Sequence, residues 1–565
     1  MIVQRSYLLA RGLQVRQFLS AADRGREIQR QVLLEKIRRH TQSVFGRRHH
    51  FARIRTVEDF RREVPITSYD DYRPYIERLK RGDLRALFGP GTRLLMFALT
   101  SGTTGDAKYI PVTREFFNEY RKGWNLWGLR TYADHTDLLR KRTLQFSSNW
   151  RQFATEGGTP CGNISGLAAE TAPWISRPIF LLPRALTKIC DPIAKRYTAL
   201  RLSLADRSVG MIVTANPSTL VELARLADGR RESLIRDLFD GALSDWVDMP
   251  GEVRDSLRRW IARRDPARAR ELERIVERTG ALFPRDFWPA LSVLAIWTGG
   301  SAGAYLPCLR KYYGDTAIRD HGLSASEGRM TLPFRDGTPA GMLDYVHSFF
   351  EFIPEAEYGK PHPTVLEAHE LEENQNYFIV LTTSSGFYRY DIHDLIRCVG
   401  FEGTVPILEF LNKGAHYSNI TGEKLSEFQV VSAVRSGFLE VGLPMETFSV
   451  APVFGDPAGY ELLLEGGIGA VADEVLPGSI DRHLSLMNRE YAERLESGRL
   501  RPLQLRKIPH GAWERLRLQR TSGLGGNMEQ YKHPCLLNDL GDVERLCAPT
   551  SSQRSSSRTI ASVAG

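Results

Sequence analysis

The sequence predicts an α/β fold with a large N-terminal domain and a smaller C-terminal domain. The chain has 565 residues, which is too long for one compact domain. Hydrophobic residues make up 42% of the chain and charged residues 25%, which is ordinary for a globular protein with a large core. Helical and strand patterns mix through about the first 410 residues, as they do in a large α/β domain.

The large domain is expected at residues 24–412, after an N-terminal extension of residues 1–23. The pattern from about Asp23 to Arg85 predicts helices, and the apolar run Leu94–Leu99 predicts a buried strand. Thr113 then predicts the N-cap of a further helix. Four aromatic residues share one face of that helix: Phe117, Tyr120, Trp124 and Trp127.

The rest of the large domain continues the mixed pattern. Asp265 and Pro266 predict the start of a helix, and Gly280 predicts its end. The run "LSVLAIWTGG" predicts a buried strand that ends in glycines. The segment "NQNYFIVLTTSSGFYRYDIHDLIRCVGF" predicts two strands around a polar loop.

The small domain is expected at residues 413–547, before a serine-rich tail at 548–565 that is expected to be disordered. The segment "METFSVAPVFGDPAGYELLLEGG" predicts a hairpin with its turn at Asp456–Gly459. Five residues then fall on one helical face: Ile480, Leu484, Met487, Tyr491 and Leu495.

The charge and the cysteines limit the classes of protein to which this chain can belong. The formal net charge of +9 is spread over the chain, and stretches such as "RARELERIVER" mix both signs, which is typical of solvated helix faces. A nucleic-acid partner is therefore not expected. No apolar run of about eighteen residues predicts a membrane span. The N-terminus does not resemble a secretory signal, so we expect a cytoplasmic protein. The six cysteines are scattered, so we expect reduced thiols. We also expect a monomer.

One segment predicts a phosphate site. "FALTSGTTGDAKYIPVT" combines hydroxyl side chains, glycines and Lys108 in a short span. It is not a P-loop, because Ala107 and Tyr109 flank that lysine, and Pro111 stands where the helix of a P-loop should run. What remains is a hydroxyl-rich loop between two strands, or in the plainer interpretation a polar surface turn.

The loop has the groups that phosphate needs. Gly102 and Gly105 allow close approach of the backbone, and Lys108 supplies a charge. Hydroxyl donors come from Ser101, Thr103 and Thr104.

Three later segments carry polar residues suited to a nucleotide. In "LSASEG", Glu327 is suited to hold magnesium near phosphates. In "YRYDIHDLIRCVG", Asp394 is suited to a ribose diol, and Arg397 reaches the same nucleotide if the chain bends there. In "NMEQYKHP", Lys532 precedes His533 and Pro534, which suits an exposed turn. The plainer interpretations are surface salt bridges and a solvated lysine.

Together these segments resemble one family. "TSGTTGDAKYIP" is similar to its SSGT[ST]xGxxKxIP motif, "LSASEG" to YxSSEG, "YRYDIHDLIRCVGF" to YRYxxGDxxxVxGF, and "QYKHPC" to QYKxPR. These are motifs of the plant hormone-conjugating acyl acid amido synthetases of the auxin and jasmonate type and their bacterial members, within the adenylate-forming ligases. The resemblance spans about residues 24–540 in the expected order.

The resemblance implies a large adenylate-forming domain and a small mobile domain that rotates between two reactions. ATP with Mg2+ would activate a carboxylic acid as an acyl-adenylate, and an amino acid would then take the acyl group. Lys532, Lys108 and Glu327 would be catalytic, and Glu327 would hold the metal. The nucleotide would be bound by Ser101, Gly102, Thr103, Thr104, Gly105, Lys108, Ala325, Ser326, Glu327, Asp394, Arg397 and Lys532.

The sequence also departs from the family pattern. Leu323, His393 and Cys535 stand where the motifs have tyrosine, glycine and arginine. The region expected to line the acyl pocket, from about Tyr120 to Asn216, resembles the plant members only loosely, so no particular hormone is carried over.

Three competing functions come from different classes of protein. One is a ligase that passes the acyl group to coenzyme A or a carrier protein. Another is a non-catalytic relative that binds ATP without releasing pyrophosphate. A third, a nucleic-acid-binding protein, would show salt-dependent binding to duplexes of random sequence.

Overall fold

The structure is a computed structural model that describes most of the chain. The described residues are 12–100, 108–173, 177–414, 417–418, 420–421, 423, 425–454, 457–466, 468–522, 531, 533–537 and 540–547. The predicted phosphate-binding residues Ser101, Gly102, Thr103, Thr104 and Gly105 lie outside these ranges, as do Asp456, Lys532 and the tail 548–565.

The chain divides into two compact units. Unit 1 comprises Met1–Gly299 and Leu309–Leu411, and unit 2 comprises Gly300–Cys308 and Asn412–Gly565. Within the described ranges, every helix is too short or too polar to cross a lipid bilayer.

Helices occur throughout both units. Those up to residue 313 are α1 (12–20), α2 (Gly25–Arg39), α3 (Val44–Arg48), α4 (Val57–Glu63), α5 (Tyr69–Lys80), α6 (Arg114–Asp134), α7 (Ile164–Glu170), α8 (Pro192–Ser203), α9 (Pro217–Gly229), α10 (Arg231–Asp240), α11 (Gly251–Ile261), α12 (Pro266–Thr279), α13 (Pro284–Phe287) and α14 (Leu306–Tyr313). The later helices are α15 (Glu427–Glu440), α16 (Ala470–Met487), α17 (Arg489–Glu496), α18 (Ala512–Ser522) and α19 (Leu540–Cys547).

The strands follow in chain order. They are β1 (Leu94–Thr100), β2 (Lys108–Thr113), β3 (Arg142–Gln145), β4 (Phe153–Ala154), β5 (Pro160–Gly162), β6 (Val209–Val213), β7 (Val293–Ile296), β8 (Ala317–Asp320), β9 (Ser324–Ala325), β10 (Gly328–Arg329), β11 (Thr331–Leu332), β12 (Gly341–Leu343), β13 (Phe349–Pro354), β14 (Leu366–Glu367), β15 (Asn376–Thr382), β16 (Tyr390–Glu402), β17 (Val405–Lys413), β18 (Tyr417–Ser418), β19 (Leu425–Ser426), β20 (Phe448–Val453), β21 (Gly459–Glu465) and β22 (Gln504–Ile508).

In the described part of unit 1, three sheets have four or more strands, and helices lie between many of these strands. One sheet has the order β2-β1-β5-β4, and the largest has the order β11-β12-β17-β16-β15-β13-β14. The third, β3-β6-β7-β8, is wholly parallel. Because parallel strands end at one edge of a sheet, the segments that follow β6, β7 and β8 meet there, and the hairpin β9–β10 comes directly after this edge.

The predicted elements of unit 1 form for the expected local reasons. The Thr113 hydroxyl accepts a hydrogen bond from the Phe116 N–H at 3.1 Å and caps α6. Asp265 caps α12 in the same way, and Gly280 ends that helix at φ +72°. The strands predicted from apolar runs are β1, β7, β15 and β16, and the mixed α/β fold is confirmed.

Unit 2 contains the predicted hairpin, as strands β20 and β21, and a third strand, β22, that joins them in parallel. The single helical face predicted for residues 480–495 is wrong. Asn488 has extended backbone angles, and its side chain accepts from the Tyr491 N–H, so it ends α16 and caps α17. Ile480, Leu484 and Tyr491 are buried, but Met487 is 39% exposed.

Candidate active site

The predicted phosphate segment includes two paired strands. Strands β1 and β2 are antiparallel, with Thr100 opposite Lys108 at the end where residues 101–107 connect them. The Lys108 Nζ atom lies 5.3 Å from the centroid of the Tyr69 ring, at cation–π distance. The Tyr69 hydroxyl oxygen accepts a hydrogen bond from the Tyr109 N–H at 2.7 Å. Tyr69 therefore fixes the start of β2 and positions the lysine.

Glu327 lies in the same neighbourhood. Burial raises the pKa of the Tyr69 phenol to about 12, and the negative charge of Glu327 adds to this increase. Burial and then the Glu327 charge also raise the pKa of the Tyr390 phenol. The charge of Glu327 acts on both phenols, so its carboxylate lies in the same region of unit 1. The structure thus groups Lys108, Tyr69, Glu327 and Tyr390, and we call these residues the lysine–glutamate cluster.

A tight hairpin presents Glu327. Strands β9 and β10 pair so that Ala325 is opposite Gly328, which leaves Ser326 and Glu327 as the two turn residues. Glu327 is 6% exposed. Leu323, where the family motif has tyrosine, is buried in the core of unit 1 and its backbone bonds to Thr331 and Met330. An apolar contact therefore replaces a phenol just before the hairpin.

Asp394 lies at a bulge in β16. Val380 on β15 pairs with Asp391, and Phe378 pairs with Leu395, so β16 has extra residues between these two pairs. His393 adopts φ +60° within the bulge, a left-handed conformation that favours glycine. This is the position at which the family motif has glycine. Asp394, which follows it, is 3% exposed.

Side chains around the bulge hold His393 in this conformation. The carboxylate of Asp391 accepts from the His393 N–H at 2.7 Å and from the Tyr358 hydroxyl at 2.7 Å. Burial alone would raise the pKa of Asp391, but its bonds with His393 and Tyr358 outweigh burial and lower it. Asp391 therefore stays ionised and ties the bulge together.

The contacts of Arg397 lie away from the lysine–glutamate cluster. It lies beyond the bulge, in the regular part of β16, and its Nε donates to the Asn376 side chain at 3.0 Å. Its charge also acts on Glu409, whose pKa is raised by burial and lowered in part by Arg397. Arg397 is about 10 Å along the strand from Asp394, at about 3.3 Å per residue.

Arg389 of the same motif has a structural role. Its Nε donates to Glu351 at 2.9 Å, and its Nη1 donates to the Val64 carbonyl at 2.9 Å. Glu351 is 1% exposed and also bonds Arg61. This buried network holds the segment before α5, and so Tyr69, against the largest sheet.

The end of the parallel sheet carries a further polar group that the sequence did not single out. The Asp320 carboxylate accepts from the Thr298 N–H at 2.5 Å and from the Gly322 N–H at 2.6 Å. Burial raises its pKa to about 6 despite these bonds. Tyr69 and Tyr390 were also missed, because their proximity to Lys108 and Glu327 depends on tertiary packing. The local signal in the sequence is the capping sequence "SYDD" at the start of α5.

In unit 2, the residues after Lys532 are fixed rather than exposed. His533 is 7% exposed, and one ring nitrogen lies 2.8 Å from the Phe448 carbonyl oxygen. Burial lowers the pKa of His533 to about 4. The Cys535 N–H donates to Glu427 at 2.6 Å, and the Cys535 carbonyl accepts from the Val450 N–H at 2.8 Å. The described residues after Lys532 therefore pair with β20 and do not form an exposed turn, while Lys532 itself lies outside the described residues.

This arrangement suits chemistry on an anionic substrate. The lysine–glutamate cluster combines one ammonium group with one buried carboxylate, beside paired strands whose connection is rich in hydroxyl groups and glycines. An ammonium group stabilises phosphate charge. A single carboxylate together with phosphate oxygens is a common way to hold Mg2+, which keeps most of its remaining ligands as water. The donor set of Glu327 therefore fits that metal.

Comparison with known proteins agrees with the fold and the motifs. Three family descriptions match the chain in order: GH3 family N-terminal domain at residues 14–318, GH3 family central domain at 341–413 and GH3 family C-terminal domain at 428–540. An indole-3-acetic acid-amido synthetase GH3.3 of Arabidopsis thaliana is 22% identical, with 90% of this chain and 88% of that protein covered. A jasmonoyl-L-amino acid synthetase JAR6 of Nicotiana attenuata is 25% identical, with 84% and 85% covered.

A solved structure has the same architecture. The GH3.15 acyl acid amido synthetase superposes with a TM-score of 0.82 at 21% identity, over 94% of this chain and 95% of that one. This likeness confirms the predicted α/β fold with its N-terminal and C-terminal domains. The resemblance seen in the motifs is confirmed as well, because the matched domains cover most of the sequence. The chain belongs to the GH3 family.

Proposed function

We propose that this protein is an ATP-dependent acyl acid amido synthetase. It activates a carboxylic acid as an acyl-adenylate with release of pyrophosphate, and it then transfers the acyl group to the amino group of an amino acid with release of AMP. The observation that carries the proposal is the ordered match to all three GH3 domains, together with the lysine–glutamate cluster that the motifs form in unit 1. The two relatives above are named as amido or amino acid synthetases.

The chemistry explains why ATP is needed. A free carboxylate is a poor acyl donor, because its leaving group would be oxide. Attack of the carboxylate on the α-phosphate makes a mixed anhydride whose leaving group is AMP. Both reactants are anionic, so the site must supply positive charge and hold the groups in line.

Each candidate residue has a stated task in this proposal. Lys108 and residues Ser101–Gly105 bind the phosphates, and Ala325 and Ser326 lie beside them. Asp394 binds the ribose, Arg397 steadies β16, and Lys532 acts at the α-phosphate during adenylation. Glu327 would hold Mg2+, which supplies charge neutralisation for the phosphates when bound. The proposal also includes a cytoplasmic monomer.

A pyrophosphate-release screen tests the activity. The purified protein is given ATP, Mg2+ and a panel of carboxylic acids, and then a panel of amines with the best acid, with amide detected by mass spectrometry. We expect acid-dependent pyrophosphate release and AMP formation that an amino acid accelerates. A matched pair of variants, Glu327→Gln and Glu252→Gln, separates the cluster from a carboxylate that is 72% exposed, since only the first should abolish release.

Two outcomes would contradict the proposal. Turnover with coenzyme A and with no amine would make the protein an acyl-thioester ligase. ATP binding without pyrophosphate release from any acid would make it a non-catalytic relative.

A further inference from the structure

A buried arginine on the hairpin β9–β10 faces helix α6, close to the candidate site. Arg329 is the last residue of β10 and is 5% exposed. Its guanidinium lies 4.4 Å from the centroid of the Trp124 ring on α6. Its Nη1 donates to the His321 carbonyl oxygen at 2.8 Å. We call Arg329, Trp124, Tyr120 and His321 the arginine cluster.

The donors of this cluster are not all used. Among the residues that the structure describes, the Nε and Nη2 atoms of Arg329 are buried without a hydrogen-bond partner. The Trp124 indole N–H is buried beside them, close to the Tyr120 hydroxyl. Nε and Nη2 form one edge of the guanidinium, and their two N–H groups match the two oxygens of a carboxylate. Buried donors without partners cost free energy, so they favour a ligand that supplies acceptors.

The nearby carboxylates do not meet this demand. Asp320 is bonded to Thr298 and Gly322, and an oxygen of Asp344 is bonded to the His347 ring at 2.7 Å. Burial lowers the pKa of the Arg329 guanidinium, while the charges of Asp344 and Asp320 and the nearby Tyr120 raise it only in part.

On the side of α6, a glycine and aromatic rings surround the guanidinium. A Cβ atom at Gly123 would lie 2.7 Å from the Cδ of Arg329, so the glycine on α6 makes room for this side chain. Burial lowers the pKa of His321 to about 3, which keeps its ring neutral. Its ring packs edge-on against Trp124 and Trp127, with centroids 5.1 and 5.8 Å away. The positive charge of Arg329 is thus surrounded by neutral aromatic rings.

The two-step reaction decides which anion fits. The carboxylate that is activated loses its negative charge when the adenylate forms, and the amide product is neutral at that carbon. A buried arginine bound to that group would stabilise the substrate more than the transition state and would slow the reaction. A second oxyanion on the same acid keeps its charge through both steps. It can therefore remain paired with Arg329 throughout.

We propose that the acid substrate carries a second anionic oxygen group, a carboxylate or sulfonate, in addition to the carboxylate that is activated, and that Arg329 with Trp124 receives it. Arg329 is then a residue that determines the substrate class, selecting dianionic acids with an apolar body. This inference rests on the proposed function, because it concerns the acid of that reaction.

Matched acid pairs test the inference. The probes are hexanoate and adipate, phenylacetate and 1,4-phenylenediacetate, and benzoate and isophthalate, and the measured quantity is the ratio of kcat/KM for pyrophosphate release within each pair. The parent should favour the dianionic member by tenfold or more in at least one pair. Arg329→Met should remove that preference, and Trp124→Phe, which keeps a ring but loses the donor, should reduce it twofold to tenfold.

Further variants separate charge from packing. Arg329→Lys keeps the charge but loses the paired N–H groups of the guanidinium, so it should retain part of the preference. Arg335→Met removes an exposed arginine and is the control, so the ratio should be that of the parent. Far-UV circular dichroism establishes that each variant is folded. If Arg329→Met does not fold, Arg329→Lys and Trp124→Phe provide the test. A parent enzyme that favours the monoanionic member of every pair, or a ratio that the Arg329 and Trp124 variants do not change, would overturn the inference.

A binding measurement distinguishes the two proposals. Calorimetric titration of each diacid into the protein without ATP reports the anion site alone. Binding that is lost in Arg329→Met, without pyrophosphate release, would support the anion site and contradict the proposed function. Pyrophosphate release at equal rates from the diacid and the monoacid of every pair, in the parent and in Arg329→Met alike, would support the proposed function and contradict the anion site.

Discussion

At the scale of single residues, burial shifts the protonation of several groups near the end of the parallel sheet. Asp320 is 1% exposed, and burial is the largest cause that raises its pKa, to about 6, while bonds from Thr298 and Gly322 oppose the increase. The folded protein therefore binds a proton at Asp320 more readily than the unfolded chain, whose carboxyl has an ordinary pKa of 3.8. Such a group stabilises the fold below about pH 4, and this contribution is lost as the pH rises through about 6.

This linkage gives a prediction for Asp320→Asn. We compare the free energy of unfolding of the parent with that of the variant at each pH. The difference, parent minus variant, should become smaller as the pH rises from 4 to 7. The decrease should be at most about 3 kcal/mol, since one pKa unit corresponds to 1.36 kcal/mol. Chemical denaturation followed by tryptophan fluorescence at each pH measures it, since the Trp127 indole donates to the Asp320 carbonyl. Asp315→Asn, which changes a carboxylate that is 99% exposed, should show no such trend. A difference that is flat with pH would contradict the shifted pKa.

Asp394 gives a second prediction at this scale. If the Asp394 carboxylate accepts from both ribose hydroxyls, each of 2′-deoxy-ATP and 3′-deoxy-ATP leaves a buried acceptor without one partner. The kcat/KM for each analogue should then be lower than for ATP, by an amount equivalent to about 1–3 kcal/mol. Asp394→Ala should remove most of this discrimination in kcat/KM. Asp315→Asn, which changes a carboxylate that is 99% exposed, should keep it. A parent enzyme that uses all three nucleotides equally would show that Asp394 does not bind the ribose.

At the scale of elements, the sequence predicts structure best where the cause is local. The cap at Thr113 and the buried strands β1 and β7 were predicted because a side-chain bond or a short apolar run determines each of them. The break at Asn488 was missed, because the helical spacing of apolar residues continues across it while its side chain bonds to the next turn. The lysine–glutamate cluster depends on packing between α5, β2, β16 and the β9–β10 turn, which no local pattern reports.

The bulge in β16 is the element on which the position of Asp394 depends, and His393 tests it. His393→Gly and His393→Asn should keep the affinity for ATP, because both residues tolerate a left-handed backbone. His393→Val should weaken ATP binding and lower the free energy of unfolding by about 1–2 kcal/mol relative to the other two. All three lose the bonds of the imidazole to Tyr358 and Asp391, so the comparison isolates the backbone. Titration calorimetry and chemical denaturation measure the two effects, and equal values for valine and glycine would contradict the role of the bulge.

At the scale of the whole molecule, the two units have separate hydrophobic cores, and the proposed reaction assigns residues from both. The core of unit 1 includes Phe97, Tyr72 and Leu323, and that of unit 2 includes Val450, Leu462 and Ile480. Lys108, Glu327 and Asp394 belong to unit 1, whereas Lys532 belongs to unit 2. The two half-reactions should therefore differ in their dependence on unit 2.

Lys532 separates these half-reactions. In the proposal it offsets charge at the α-phosphate as the acid carboxylate attacks, a contribution of about 2–4 kcal/mol by analogy with the loss of one oxyanion donor. Lys532→Ala should slow acid-dependent exchange of pyrophosphate into ATP by about a hundredfold or more, at tenfold per 1.36 kcal/mol. Supplied with a preformed acyl-adenylate and an amino acid, the same variant should form amide at nearly the parent rate, because no α-phosphate is attacked by a carboxylate in that step. Lys507→Ala, which removes another lysine of unit 2 that pairs with Asp473, is the matched control and should affect neither assay. Equal losses in both assays would mean that Lys532 supports the structure or both steps, and unchanged exchange would return it to the role of a solvated surface charge.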